Sequence, residues 1–360
     1  MKTVPLIQFG LGGVGRAVVE RVLAAADEYE WRYGLRLRYV ALCDSQGAVV
    51  ATEGVTLWDL QRALAAKGAG QSLAAVPGGY QHEDTTSIVD VAGTTGAIVI
   101  DVTASDETVD ALLLALDLGY AAVTANKRPL TQDYATFRRL VGSGRFRYEA
   151  TVGAGVPVIA TLAENIIASH DAVHRIEGCF SGTLGYLTTG LQAGAPFSTL
   201  VGEAKAKGYT EPDPRDDLGG MDVGRKTLIL ARTLGWPLTM EQMQVQSLFP
   251  PELAQGSVDD FLQAIAALDG DYSASVAAAG QQGATLRYVA SLSGGLAQVG
   301  LQPVPLESPL GRLQGTDNLI AFYTDIYQTS PLVVQGRGAG AHGTAAGVLA
   351  DIVALAKQQR

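Results

Sequence analysis

Apolar positions along this chain follow two periods. Residues 4–9 are almost continuously apolar, glycines follow at once, and over 16–33 apolar residues recur every three or four positions. That pattern predicts a strand, a tight turn and an amphipathic helix. A second apolar run over 38–42 leads to Asp44, and strand, helix and strand in this order make a parallel unit with a right-handed crossover. Helical periodicity returns over 57–66 and 107–118, while 97–102 and 121–124 are short apolar runs of the kind buried on both faces of a parallel sheet. The alternation predicts an α/β fold, with a Rossmann-type doubly wound parallel sheet over residues 1–150.

After Glu149 the pattern breaks at a glycine-rich turn, Val152-Gly153-Ala154-Gly155-Val156-Pro157, read as the passage into a second domain over 151–336. That stretch mixes helical periodicity, as over 157–168 and 221–234, with a strand-like run over 285–292, which predicts an α+β domain. The closing segment 337–360, helical from about 345, is expected to return and complete the first domain. A chain of 360 residues exceeds the roughly 250–300 at which single cores stop growing, which supports two domains.

Charge narrows the partners. Lys and Arg number 26 against 36 Asp and Glu, and the basic residues are scattered, so no stripe exists to displace phosphate counterions and nucleic acid is not expected. No apolar run reaches the roughly 20 residues that cross a bilayer, and the N-terminus enters the glycine turn directly, so neither a membrane span nor a signal peptide is expected. The two cysteines, Cys43 and Cys179, are too few for a disulfide framework, which fits a reducing cytoplasm. His170 and His174 are four residues apart, but no Cys, Asp or Glu completes a recognisable metal-ligand set.

Gly10-Leu11-Gly12-Gly13-Val14-Gly15 is a G-x-G-x-x-G turn between a strand and a helix. The first glycine makes the turn, the second lets the backbone approach a pyrophosphate, and the third allows close helix–strand packing. Asp44 lies where an acid would hydrogen-bond the ribose 2′-hydroxyl of NAD. It serves equally as a turn residue, and a Lys or Arg elsewhere could accept the 2′-phosphate of NADP, so both cofactors stay open. Thr103 and Asn126-Lys127 follow two further strands at the same edge of the sheet, where open α/β sheets bind ligands. Lys127 reads as a contact to cofactor or substrate, or as a solvated loop charge.

The segment Gly208-Tyr209-Thr210-Glu211-Pro212-Asp213-Pro214-Arg215-Asp216-Asp217-Leu218-Gly219-Gly220 is expected to be a stiff acidic loop, its prolines forbidding regular helix. On the helix that follows, Asp222 and Lys226 are spaced to share a face. Taken alone they amount to a surface ion pair. Together with Ala125-Asn126-Lys127, the run from Glu149 to Pro157, Gly182-Thr183-Leu184-Gly185-Tyr186 and the tail Gly336-Arg337-Gly338-Ala339-Gly340, however, the chain resembles the homoserine dehydrogenases over nearly its whole length.

The resemblance implies an NAD- or NADP-dependent interconversion of L-homoserine and L-aspartate 4-semialdehyde in a homodimer whose second domain binds substrate and dimerises. It implies Lys226 as the catalytic proton donor and acceptor, and Glu211, Asp217, Asp222, Lys127 and Thr183 around the amino-acid substrate. Cofactor positions carry over onto Leu11, Gly13, Val14, Thr103, Lys127 and Gly340. A monovalent cation, Na⁺ or K⁺, carries over onto Glu149 and the carbonyls of Val152, Ala154 and Val156. Chemistry agrees: reducing an aldehyde builds charge on its oxygen, which an ammonium stabilises and protonates. Ser308 stands where many relatives have histidine, so no imidazole role is expected there. The chain also stops soon after the closing motif, so feedback through an added regulatory domain is not expected. Two other readings remain: another reductase of this architecture, and a dinucleotide sensor without turnover. The complete set Lys226, Glu211 and Asp222 argues against the sensor.

Overall fold

The first apolar run forms β1 (Lys2–Phe9), the central strand of a seven-stranded sheet in the computed structural model, which describes residues 1–359. The other strands are β2 (Leu35–Cys43), β3 (Ala48–Val50), β4 (Gly79–Tyr80), β5 (Ile98–Asp101), β6 (Ala121–Thr124) and β7 (Phe146–Arg147), in the order β4-β3-β2-β1-β5-β6-β7. The five strands from β2 to β7 across β1 are parallel, and β3 and β4 add an antiparallel edge. Strand order reverses at β1, which opens a crevice at the C-terminal ends of β1 and β5. Helices α1 (Gly13–Ala24), α2 (Ala26–Tyr33), α3 (Leu57–Gly68), α4 (Thr85–Ala92), α5 (Val109–Asp117), α6 (Arg128–Thr131) and α7 (Tyr134–Gly142) complete this part.

The single helix expected over 16–33 is two helices meeting at Ala25. The apolar stripe of α1, with Ala17, Val18 and Val22, is buried, whereas α2 has no fully buried residue and meets the core through the partly buried Tyr29. Strands β3 and β4 carry too few residues for an alternating pattern to register.

The second unit starts with α8 (Val158–Ala160), which runs on as a π-helical stretch, Thr161–Ile167. Then come β8 (Val173–Cys179), α9 (Gly182–Gln192), α10 (Phe197–Ala206), α11 (Pro214–Leu218), α12 (Met221–Thr233), β9 (Gln244–Val245), α13 (Val258–Ala264), α14 (Asp269–Gln281), β10 (Ala284–Ser293), β11 (Leu296–Pro305), α15 (Pro309–Arg312), β12 (Asp317–Thr324) and β13 (Leu332–Arg337). The sheet order is β13-β12-β8-β10-β11-β9, antiparallel except for the short β9 against β11. Helices α9, α12 and α14 pack on its strands. The β10–β11 hairpin turns on Gly294-Gly295, both at positive φ, the conformation that matches a two-residue turn to the strand twist.

The acidic segment holds a correction. Pro214 does not exclude helix there; it opens α11, where a missing N–H costs nothing, and the Asp213 carboxylate accepts the Arg215 N–H at 3.0 Å as the cap.

The last helix, α16 (Ala341–Gln358), belongs to the first unit, which comprises Met1–Gly155 and Gly340–Arg360; the second is Val156–Ala339. It packs along α1. Its C-terminal carbonyls at Ala356 and Gln359 accept the Lys2 ammonium at 3.2 and 2.5 Å, a cation at the negative end of the helix. The buried Asp351 accepts the Glu149 N–H at 2.8 Å. No helix among the described residues is long and apolar enough to cross a membrane. Asp351→Ala removes that buried acceptor, and urea denaturation should read a loss of about 1–3 kcal/mol.

Candidate active site

At the end of β1 the chain must reverse into α1 in very little space. Gly10 has φ +95°, and a Cβ there would lie 3.0 Å from the Val102 carbonyl oxygen; a Cβ on Gly15 would lie 2.1 Å from the Gly10 oxygen. Gly12 and Gly13 face open space instead: nothing stands within 4 Å of a Cβ at Gly12, and only the Ala341 methyl at 3.8 Å for Gly13. No side chain caps the α1 N-terminus. Unfilled room in front of an uncapped helix start fits a pyrophosphate. Leu11 is buried beneath the turn, Val14 is half-buried, and Gly340, at φ +103°, leads into α16.

Sequence reasoning missed the residue that holds this turn. Gln8 is fully buried; its amide nitrogen donates to the Gly10 and Gly15 carbonyls at 3.0 Å each, and its oxygen accepts the Tyr39 hydroxyl at 2.9 Å. The available signal was a lone polar residue in a buried apolar run.

Asp44 follows β2, and its carboxylate accepts the N–H groups of Gln46, Gly47 and Leu73 and the Lys67 ammonium, at 2.7–2.9 Å. Burial would raise this carboxyl, but those four donors outweigh it and hold it below its ordinary value. They also fill the roughly four lone-pair sites of a carboxylate. The geometry therefore favours the turn role for Asp44, and Lys67 stands at the same strand end.

Thr103 and Lys127 lie in the loops after β5 and β6. Between them, Asp101 is fully buried and accepts the Thr103 N–H at 3.0 Å, the Thr103 and Thr108 hydroxyls at 2.7 Å each, and the Asn126 amide at 3.0 Å. Burial pushes the Asp101 carboxyl up, against these hydrogen bonds. Asn126 also donates to the Ser105 carbonyl at 2.7 Å and accepts the Arg128 N–H at 3.1 Å.

In the second unit, Gly220 at φ +73° starts α12 against β10, its missing Cβ leaving the place where the Tyr288 hydroxyl sits. One turn along, the Lys226 ammonium donates to the Phe180 carbonyl at 2.8 Å and pairs with Asp222 at 2.8 Å. Two of its three N–H groups are thus engaged, which leaves the third for a ligand. Asp217 accepts the Glu211 N–H at 2.8 Å and lies 3.2 Å from the Thr183 hydroxyl, which is 2.6 Å from the Tyr209 carbonyl. Burial raises the Asp217 carboxyl, and the charges of Glu211 and Asp222 add to it. The exposed Glu211 carboxylate makes no hydrogen bond or ion pair among the described residues. Here an ammonium able to give a proton lies on the same short stretch as carboxylates able to hold a second cation.

Glu149 is buried at the end of the first unit's sheet. Gly153 and Ala154 adopt positive φ, +84° and +57°, which turns successive carbonyls; that of Ala154 approaches Gly347 so closely that a Cβ there would be 2.7 Å away. The Val152 N–H returns to the Glu149 carbonyl at 3.3 Å, and the Val156 carbonyl accepts the Val158 N–H at 2.8 Å. His174 is on β8 and bonds Asp325 at 2.7 Å, away from any helix face shared with His170. No group of three His, Cys, Asp or Glu that could hold a metal occurs among the described residues.

The family profile described as homoserine dehydrogenase matches residues 157–353, and that described as homoserine dehydrogenase, NAD binding domain, matches 10–145. The chain belongs to the homoserine dehydrogenase family. It is 34% identical, over 98% of its length and 43% of the relative's, to the bifunctional aspartokinase/homoserine dehydrogenase of Haemophilus influenzae. With the homoserine dehydrogenase of Paracoccidioides brasiliensis it shares 39% identity over 71% of this chain and 73% of the other. A hyperthermophilic archaeal homoserine dehydrogenase in complex with NADPH has the same fold, with a TM-score of 0.76 at 24% identity over 98% and 97% of the two chains. The chain spans less than half the length of the bifunctional relatives it matches.

Among homoserine dehydrogenase features, the glycine turn leaves no room for a side chain at Gly15. Gly15→Ala forces a methyl group onto the Gly10 oxygen, and fluorescence titration should show dinucleotide affinity weakened at least about tenfold, since repacking so tight a contact costs ~1–3 kcal/mol.

Proposed function

We propose that this chain is a homoserine dehydrogenase, interconverting L-homoserine and L-aspartate 4-semialdehyde with a nicotinamide dinucleotide. The observation that carries the reading is the Lys226 ammonium on α12, held between the Phe180 carbonyl and Asp222, with Asp217 on the preceding α11 and the exposed Glu211 just before it. The dinucleotide, when bound, supplies or accepts the hydride. The chain's own residues do the rest. Lys226 gives a proton to the substrate oxygen during reduction and takes it back during oxidation, while its positive charge stabilises the developing oxyanion. Glu211, Asp222 and Asp217 suit the α-ammonium of an amino acid, with Thr183 orienting Asp217. Gly10, Gly12, Gly13 and Gly15 with Leu11 and Val14 suit the pyrophosphate, and Thr103, Lys127 and Gly340 the remainder of the cofactor.

The filled hydrogen-bond sites of Asp44 and the Lys67 ammonium 2.7 Å from it support NADP over NAD, since a cation at this strand end suits a 2′-phosphate. The carbonyls of Val152, Ala154 and Val156 with Glu149 suit a hard monovalent cation such as Na⁺ or K⁺, with oxygens alone as donors. The same reading takes the enzyme as a cytoplasmic homodimer, a two-fold pair being the commonest closed assembly.

The test is homoserine-dependent reduction of NADP and NAD at alkaline pH. Lys226→Ala should lower kcat by about 10²–10⁴-fold and keep dinucleotide affinity, and Glu211→Ala should act mainly on the KM for homoserine. Undiminished turnover in the lysine variant would remove the mechanism. Separately, Lys67→Ala should raise the KM for NADP about tenfold, the worth of one hydrogen bond to a charged group, with little change for NAD; equal effects on both would leave cofactor choice to other residues.

A further inference from the structure

The buried carboxylate of Asp101 has no place in the chemistry just described, and its surroundings are unusual. It ends β5 with no exposure, and among the described residues no Lys, Arg or His pairs with it; its partners are the Thr103 N–H, the Thr103 and Thr108 hydroxyls and the Asn126 amide. A charge taken out of water without a counter-ion is costly unless its lone pairs are filled, and these four donors fill them. An apolar residue would end a buried strand at less cost, and buried ionic groups are poor devices for stability.

What the arrangement does accomplish is geometric. Every donor belongs to the loop after β5 or the loop after β6, at the edge of the sheet where the cofactor is expected. Asn126, 3% exposed, crosses from one loop to the other: its amide nitrogen reaches Asp101 at 3.0 Å and the Ser105 carbonyl at 2.7 Å, and its oxygen holds the Arg128 N–H at 3.1 Å, on the far side of Lys127. At the surface the same two loops are joined by the exposed Arg128–Asp106 ion pair; the bonds of Asp101 and Asn126 join them in the interior.

We propose that Asp101 is a positioning residue: with Asn126 it fastens these two loops into one rigid edge and so sets Thr103 and Lys127 relative to each other for the bound dinucleotide. The inference rests on the reading that those two residues meet the cofactor. A neutral amide at position 101 would have to turn its NH₂ group either toward the Thr103 N–H or toward the Asn126 amide, so at least one bond of the clamp must open.

The test uses the full-length chain and two measurements: dissociation constants of NADP and NAD by fluorescence titration, and kcat and KM for both substrates. Asp101→Asn should weaken dinucleotide binding about tenfold or more and lower kcat, as misplacement by even ~1 Å can cost on the order of 10²-fold. Asn126→Ala, which removes the amide that crosses from one loop to the other and leaves the Thr103 and Thr108 bonds to Asp101 in place, should reproduce the losses in dinucleotide affinity and kcat with the KM for homoserine little changed, a split that a general loss of stability would not produce. Should Asp101→Asn not fold, Thr108→Val, which deletes a single bond to the carboxylate, and Asn126→Ala take its place. Folded variants with unchanged dissociation constants, kcat and KM would overturn the proposal. Wild-type protein that binds neither dinucleotide, or whose binding is indifferent to Lys127→Ala, would instead sink the parent reading of this edge and the clamp with it.

Discussion

The approach of Gly15 to the Gly10 carbonyl is the constraint on which the first unit depends. With 2.1 Å between that oxygen and the place a methyl group would occupy, α1 can start only where two backbones touch, and its uncapped N-terminus is then aimed at the strand ends. Gln8 fastens this contact from below, and Tyr39 fastens Gln8 to β2. Along the same edge Asp101 and Asn126 tie the loops after β5 and β6. The cofactor face is thus built from buried polar side chains that serve backbone and loops, in a sheet whose strands are otherwise filled by Val, Ile, Leu and Ala packed to exclude water.

The second unit solves a different problem, which is keeping several carboxylates together without mutual repulsion destroying the fold. It does so by giving most of them local work. Asp213 is held by the Arg215 guanidinium at 2.6–3.0 Å, and the same guanidinium accounts for the carbonyls of Ala254 and Gly256. Asp217 is occupied by the Glu211 N–H and Thr183, and Asp222 by Lys226. The Glu211 and Asp216 carboxylates remain exposed, Asp222 stays half-exposed beside Lys226, and one N–H of Lys226 is left over. The pair Asp222–Lys226 would be worth little on an open helix surface; with the lysine largely covered and its second bond made to a backbone carbonyl, it sets the direction of the ammonium.

Where pattern and structure part, the reasons are specific. The prolines over 208–220 argue against helix, yet at the first position of α11 Pro214 removes only an N–H that would have had no partner. Periodicity over 16–33 continued through Ala25 because sequence shows which residues are apolar, not which have a core to meet. Asp44 stands at the strand end where a ribose acid belongs, but Lys67 and Leu73, more than twenty residues away in sequence, come back to fill its carboxylate.

The sequence by itself determined the alternation of strands and helices, the glycine turn, the family, and which residue types carry chemistry. All of these are local: apolar period, missing Cβ atoms and short motifs act within a few residues of one another. Only the tertiary structure decided which polar groups are already satisfied. Asp101 ends an apolar run like any strand-terminal acid until Asn126, from the loop after the neighbouring parallel strand, meets it; Lys226 looks like half of a surface pair until the Phe180 carbonyl takes a second hydrogen. A hydrogen bond depends on distance and direction to within a few tenths of an ångström, and between residues far apart in sequence those are properties of the packed chain alone.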